Sequence, residues 1–79
     1  MITLRDCRPG LPVLVTTFEL KAADPRTELH GRRGRVQGPV GPLFPDDVVV
    51  FFPVNGDRPA TTASVARRLL SRIDDPNWS

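Results

Sequence analysis

The sequence predicts an all-β protein, a five-stranded open barrel with a long first loop and one short helical turn before the last strand. Three observations carry that expectation. His30-Gly31-Arg32-Arg33-Gly34-Arg35-Val36 supplies glycines for a sharp entry into a strand, and the valine and phenylalanine run Asp47-Val48-Val49-Val50-Phe51-Phe52 answers it across a Pro/Gly-rich stretch. The remaining apolar segments are short and separated by Pro, Gly and Asn at intervals that suit strands. At 79 residues the chain reads as a single domain, with a core over residues 9–74 and a tail over 75–79. A domain of that size buries only about 60% of the surface its unfolded chain exposes.

Arg8-Pro9-Gly10 is a turn signal, and Leu11 to Phe18 reads as the first strand, rich in β-branched residues. Pro12 lacks an N–H to donate and so belongs at the beginning of that strand or on an edge. Glu19 to Arg33 breaks the pattern with Asp24-Pro25 and closely spaced charges, and reads as a long excursion with a helical turn near residues 20–23. Leu20, Leu29 and Ala23 are expected to tuck it against the barrel. Gly34 to Val40 is the second strand, with Val36 inward between Arg35 and Gln37. Gly34 itself is read as backbone geometry for the turn into that strand.

Gly38-Pro39, Gly41-Pro42 and Pro45 then mark a connection that excludes a helix or an internal strand, and Leu43 and Phe44 are expected to fold back onto the core. Val48 to Phe52 is the third strand. Side chains alternate along a strand, so Val48, Val50 and Phe52 facing the core leave Val49 and Phe51 on the opposite face. Pro53 to Pro59, centred on Asn55-Gly56, is a hairpin turn of the kind that takes φ > 0 at successive positions. Residues 60–74 admit two readings. As a helix, Val65, Ala66, Leu69, Leu70 and Ile73 share one face. As a barrel ending, Ala60–Val65 is a strand, Ala66–Leu70 a tight turn and Ser71–Asp74 the last strand, and the paired threonines favour this second reading.

Composition bounds the function. The chain is 39% hydrophobic with a net charge of +2, and ten of its eleven basic residues are arginine, whose planar forks suit carboxylate, phosphate and interface contacts. No apolar run approaches the ~20 residues of a membrane span, and the first residues lack the apolar core of a secretory leader, so a cytoplasmic protein with no membrane insertion is expected. Cys7 is alone, which excludes an internal disulfide and a multi-cysteine metal site. His30 is the single histidine and sits beside glycine, far from the convergent set of groups that acid–base catalysis needs. Asp46-Asp47 and Asp74-Asp75 read as turn residues, because adjacent carboxylates diverge and lack EF-hand spacing. Gly31-Arg32-Arg33-Gly34 lacks the glycine spacing and the lysine of a phosphate loop. The expectation is a non-enzyme with no cofactor, no metal and no small-molecule substrate.

The order of elements, carried by Gly31, Gly34, Val36, Asp47–Phe52 and Ala63–Asp74, resembles the SH3-like barrels that serve as accessory subunits of photosynthetic redox complexes. The peripheral SH3-like subunit of photosystem I and the variable chain of ferredoxin-thioredoxin reductase are the families in question. The same motifs are similar to KOW modules of ribosomal and transcription proteins. The resemblance implies an SH3-like accessory or adaptor subunit that docks on a larger protein complex, a redox enzyme assembly among them. A KOW-like nucleic-acid module, with weak contact through the arginines, and a structural component of a particle such as a phage connector are the alternatives.

A docking surface needs a few apolar anchors with arginine around them. The residues of that character are Arg32, Arg33, Arg35, Val49, Phe51 and Trp78, and they form the expected partner-binding set.

Overall fold

The computed structural model describes Ile2 and residues 7–73. Its strands are β1 (Pro12–Val15), β2 (Arg33–Gly41), β3 (Phe44–Phe52), β4 (Thr61–Ala66) and β5 (Leu70–Arg72). They form one antiparallel sheet in the order β4-β3-β2-β1-β5. Two 3-10 turns complete it, Pro25–Leu29 in the first loop and Arg67–Leu69 between β4 and β5. The strand-turn-strand reading of residues 60–73 is therefore the one observed, and the helical reading is set aside. Cross-strand pairing to β3 runs over every residue from Thr61 to Ala66 and brings Val65 and Ala66 into the core.

The core is built mainly from valines in strand register, completed by two leucines at the end of the Arg67–Leu69 turn. Val13, Val15, Val36, Val48, Val50, Val65, Leu69 and Leu70 are buried, with Phe52 the one fully buried aromatic among the described residues. Val48, Val50 and Phe52 face inward while Val49 is half-buried and Phe51 exposed, as the alternation of β3 requires. Leu20 and Leu29 of the first loop pack against this cluster, as expected, whereas Ala23 is exposed.

The first loop is ordered differently from its sequence reading. The helical turn falls at Pro25–Leu29, not near residues 20–23, because Asp24-Pro25 makes a better start than any residue before it. Proline presets the first helical φ, and the Asp24 carboxylate accepts from the Arg26 backbone N–H at 2.9 Å. Arg26 folds back on the same carboxylate, donating from Nε at 3.1 Å and Nη2 at 2.7 Å. The Arg26 side-chain bonds, with its backbone N–H, hold the Asp24 carboxyl down at about 2. The loop closes where the Gly31 N–H donates to the Val15 carbonyl at 2.8 Å, with Gly31 at φ +76°.

Three further expectations are corrected. The Pro/Gly stretch after Val36 is not a loop, because β2 continues to Gly41 and β3 starts at Phe44, leaving a tight hairpin. Pro39 is tolerated there for a local reason. β1 pairs only with Arg33 to Arg35, so among the described residues the far half of β2 has no partner on that flank, and the pairing with β3 shifts register on both sides of Pro39. So short a connection cannot fold back, and Leu43 and Phe44 are 85% and 56% exposed instead of capping the core. In the 53–59 segment, Asn55 and Arg58 exchange backbone hydrogen bonds at 3.0 Å around Gly56-Asp57, and only Gly56 has positive φ. That is the II′ pattern, with glycine at the first central position.

Gly34 is also reassigned. Its φ is not positive; what it supplies is space. A Cβ at this position would lie 2.7 Å from the Phe51 carbonyl oxygen and from Val50 Cγ1, and 2.8 Å from Phe52 Cδ1. Gly34→Ala is therefore expected to lower the unfolding free energy by about 1–3 kcal/mol in a urea titration. An unchanged midpoint would mean that β3 does not press on β2 here.

The Asp24 carboxyl gives a second test. A folded pKa below the ordinary 3.8 stabilises the turn above that pH, and the contribution is lost as pH falls toward 2. Carbon-detected NMR should place the Asp24 carboxyl midpoint near 2, and in Arg26→Ala the midpoint should return toward 3.8. A midpoint unmoved by that substitution would contradict the Arg26 assignment.

Candidate docking face

The expected partner-binding residues separate into distinct groups. Arg32 is only 6% exposed. Its Nη2 donates to the Pro53 carbonyl at 3.3 Å and to the Pro59 carbonyl, and its Cζ lies 5.4 Å from the centroid of the Phe52 ring. Arg32 is thus a clamp that ties both ends of the 53–59 turn to β2 over a core aromatic, and it is no rim residue. Sequence alone gives no reason to separate it from Arg33, its neighbour. Strand alternation supplies one, because Arg32 and Gly34 point to the inner side and Arg33 and Arg35 to the outer.

Arg33 is exposed and borders a depression of about 370 Å³ with Gly31, Pro53, Val54 and Asn55. Arg35 is half-buried, stands opposite Phe51 in the β2–β3 pairing, and donates from Nη1 to the Gly10 carbonyl at 3.1 Å. Phe51, 38% exposed, lies between Arg35 and Thr62, and Val49 lies between Gly38 and Ser64. The outward sides of β2, β3 and β4 therefore bring Arg35, Phe51, Val49, Thr62 and Ser64 together. Trp78 lies outside the described residues.

Sequence reasoning missed the hairpin end. Six large apolar side chains are exposed among the described residues, and four of them, Val40, Leu43, Phe44 and Phe51, belong to the β2–β3 hairpin. The signal was present in Gly41-Pro42, which is placed so that both arms of the hairpin come out nine residues long. The proline count of the stretch hid it.

The single histidine has a structural partner. His30 Nδ1 accepts the Thr17 backbone N–H at 3.0 Å, which leaves the ring proton on Nε2, and Thr17 Oγ1 is 3.1 Å away. Phe18 meets the ring edge-on at 4.7 Å between centroids. This pins the two ends of the first loop together. Asp46 is paired with Arg67 at 2.9 Å, and Glu19 with Arg68 at 3.2 Å. No cluster of three or more metal-ligating side chains is present among the described residues. No helix among them is long and apolar enough to cross a membrane.

The chain matches no family model, no curated protein sequence and no solved structure.

Proposed function

We propose that this chain is an SH3-like barrel acting as a non-catalytic accessory or adaptor subunit, docked on a larger protein assembly through the outward side of its β2–β3 hairpin. The observation that carries this reading is the outward-facing, 38% exposed Phe51 opposite Arg35 in the β2–β3 pairing, with Val49 two residues before it on the same face and with Val40, Leu43 and Phe44 exposed toward the hairpin turn. Apolar anchors bordered by guanidinium groups have the composition of an interface core and its rim. The strand order β4-β3-β2-β1-β5, with a 3-10 turn before the last strand, supports the SH3-like assignment. The resemblance to accessory barrels of redox complexes makes a redox enzyme assembly the partner class to examine first.

Phe51→Ser and Leu43→Ser test it. Each should keep the wild-type melting transition within a few degrees and lose the complex that wild-type protein retains in a pull-down from native lysate followed by mass spectrometry. A loss of about 2 kcal/mol in binding is the scale expected of a central anchor. Retention of the same partner by both variants would contradict the reading, and so would unfolding of Phe51→Ser, which would make Phe51 a core residue.

A further inference from the structure

A second surface lies at the β4 edge of the sheet, beside β3. β4 is an edge strand, and apart from its ladder with β3 no backbone hydrogen bond joins Thr61–Ala66 to another described segment. Its sequence, Thr-Thr-Ala-Ser-Val-Ala, carries none of the lysines or prolines that usually blunt an exposed edge. Beside it runs a groove of about 640 Å³, walled by Pro25 and Leu29 of the first loop and by Thr61 and Ala63 of β4.

The charges on this groove are unbalanced. Arg26, Arg32 and Arg58 line it against the single carboxylate of Glu28. Arg26 is already paired with Asp24. Arg58 reaches only the Glu28 carbonyl, at 3.4 Å, and has no carboxylate partner among the described residues. Arg32 is the sharper case. It is a buried guanidinium held by two carbonyls and an aromatic face, with no counter-ion among the described residues and with Nε lacking any hydrogen-bond partner. A buried cation without an anion is an unfavourable arrangement that a docked carboxylate relieves.

We propose that the edge of β4 accepts an extended acidic segment of a partner protein as an added strand, with the carboxylates of that segment in the groove beside Arg58 and Arg32. Strand addition satisfies the edge N–H and C=O groups, and alternate side chains of the added segment fall on the groove side. Recognition therefore favours acidic residues at every second position. The edge of β4 adjoins the outer face at Ser64, but the strand pairing and the groove arginines do not depend on whether the β2–β3 hairpin has a partner.

The probe is a fluorescein-labelled peptide alternating aspartate and valine, six residues long to match β4, compared with its asparagine–valine counterpart. Fluorescence anisotropy should show the acidic peptide binding about tenfold more tightly than the neutral one, and its affinity should fall as salt rises. Arg58→Glu should weaken it by a similar factor. Should that variant fail to fold, the salt dependence and the neutral peptide measured on wild-type protein carry the same test. Amide exchange followed by NMR should slow within Thr61–Ala66 when the peptide is added. Equal binding of both peptides, no binding, or slowing confined to other strands would overturn the proposal. So would tighter binding of single-stranded oligouridylate, which would make the groove a nucleic-acid site. Protection of β4 that grows with protein concentration in the absence of peptide would also overturn it, in favour of a second copy of this chain at the edge.

Discussion

The missing side chain at residue 34 is the constraint on which the rest of the sheet depends. Because Gly34 has no Cβ, the β3 backbone at Phe51 and the ring of Phe52 come within a distance of β2 that any other residue would forbid. That approach seats Phe52, the one fully buried aromatic among the described residues, in a core made mostly of valine and leucine. It also fixes which side chains of β3 point in. With Val48, Val50 and Phe52 committed to the interior, Val49 and Phe51 have only the outer face to occupy. The docking face follows from a packing requirement on the opposite side of the same strand.

Arg32 ties the sheet to its loops. Its neighbours in sequence, Arg33 and Arg35, lie on the outer side of β2, while its own side chain turns inward over Phe52 and reaches the carbonyls of Pro53 and Pro59. Proline has no N–H, but its carbonyl remains an acceptor, and a guanidinium fork can satisfy two at once. One charged residue therefore anchors the 53–59 turn, and that turn in turn presents Arg58 to the groove beside β4. At the far end of the first loop, the Thr17–His30 bond and the Asp24 cap serve the same purpose by local means.

What the sequence made legible was period and polarity. The alternation of Val48 to Phe52, the inward Val36 and the strand-turn-strand ending of residues 60–73 follow from side-chain periodicity and β-branched content, and the structure agrees with them. What was not legible depended on which strand lies beside which. Pro39 argues against a strand unless β1 is known to stop pairing before it, and only then does the long β2–β3 hairpin with its exposed Leu43 and Phe44 become visible. Gly34 looked like a turn residue because glycine allows both positive φ and close approach, and the distinction needs the opposing strand. Arg32 looked like Arg33 for the same reason.

Which side chains face outward depends on the register of β3, since a slip of one residue would exchange its inner and outer faces. The most direct measurement is NMR of the aromatic side chains in the presence of a soluble gadolinium chelate. The ring protons of Phe51 should be strongly broadened, while those of Phe52 stay sharp and show cross-peaks to Gly34 Hα. Sharp Phe51 signals with broadened Phe52 signals would contradict both the packing at Gly34 and the outward docking face derived from it.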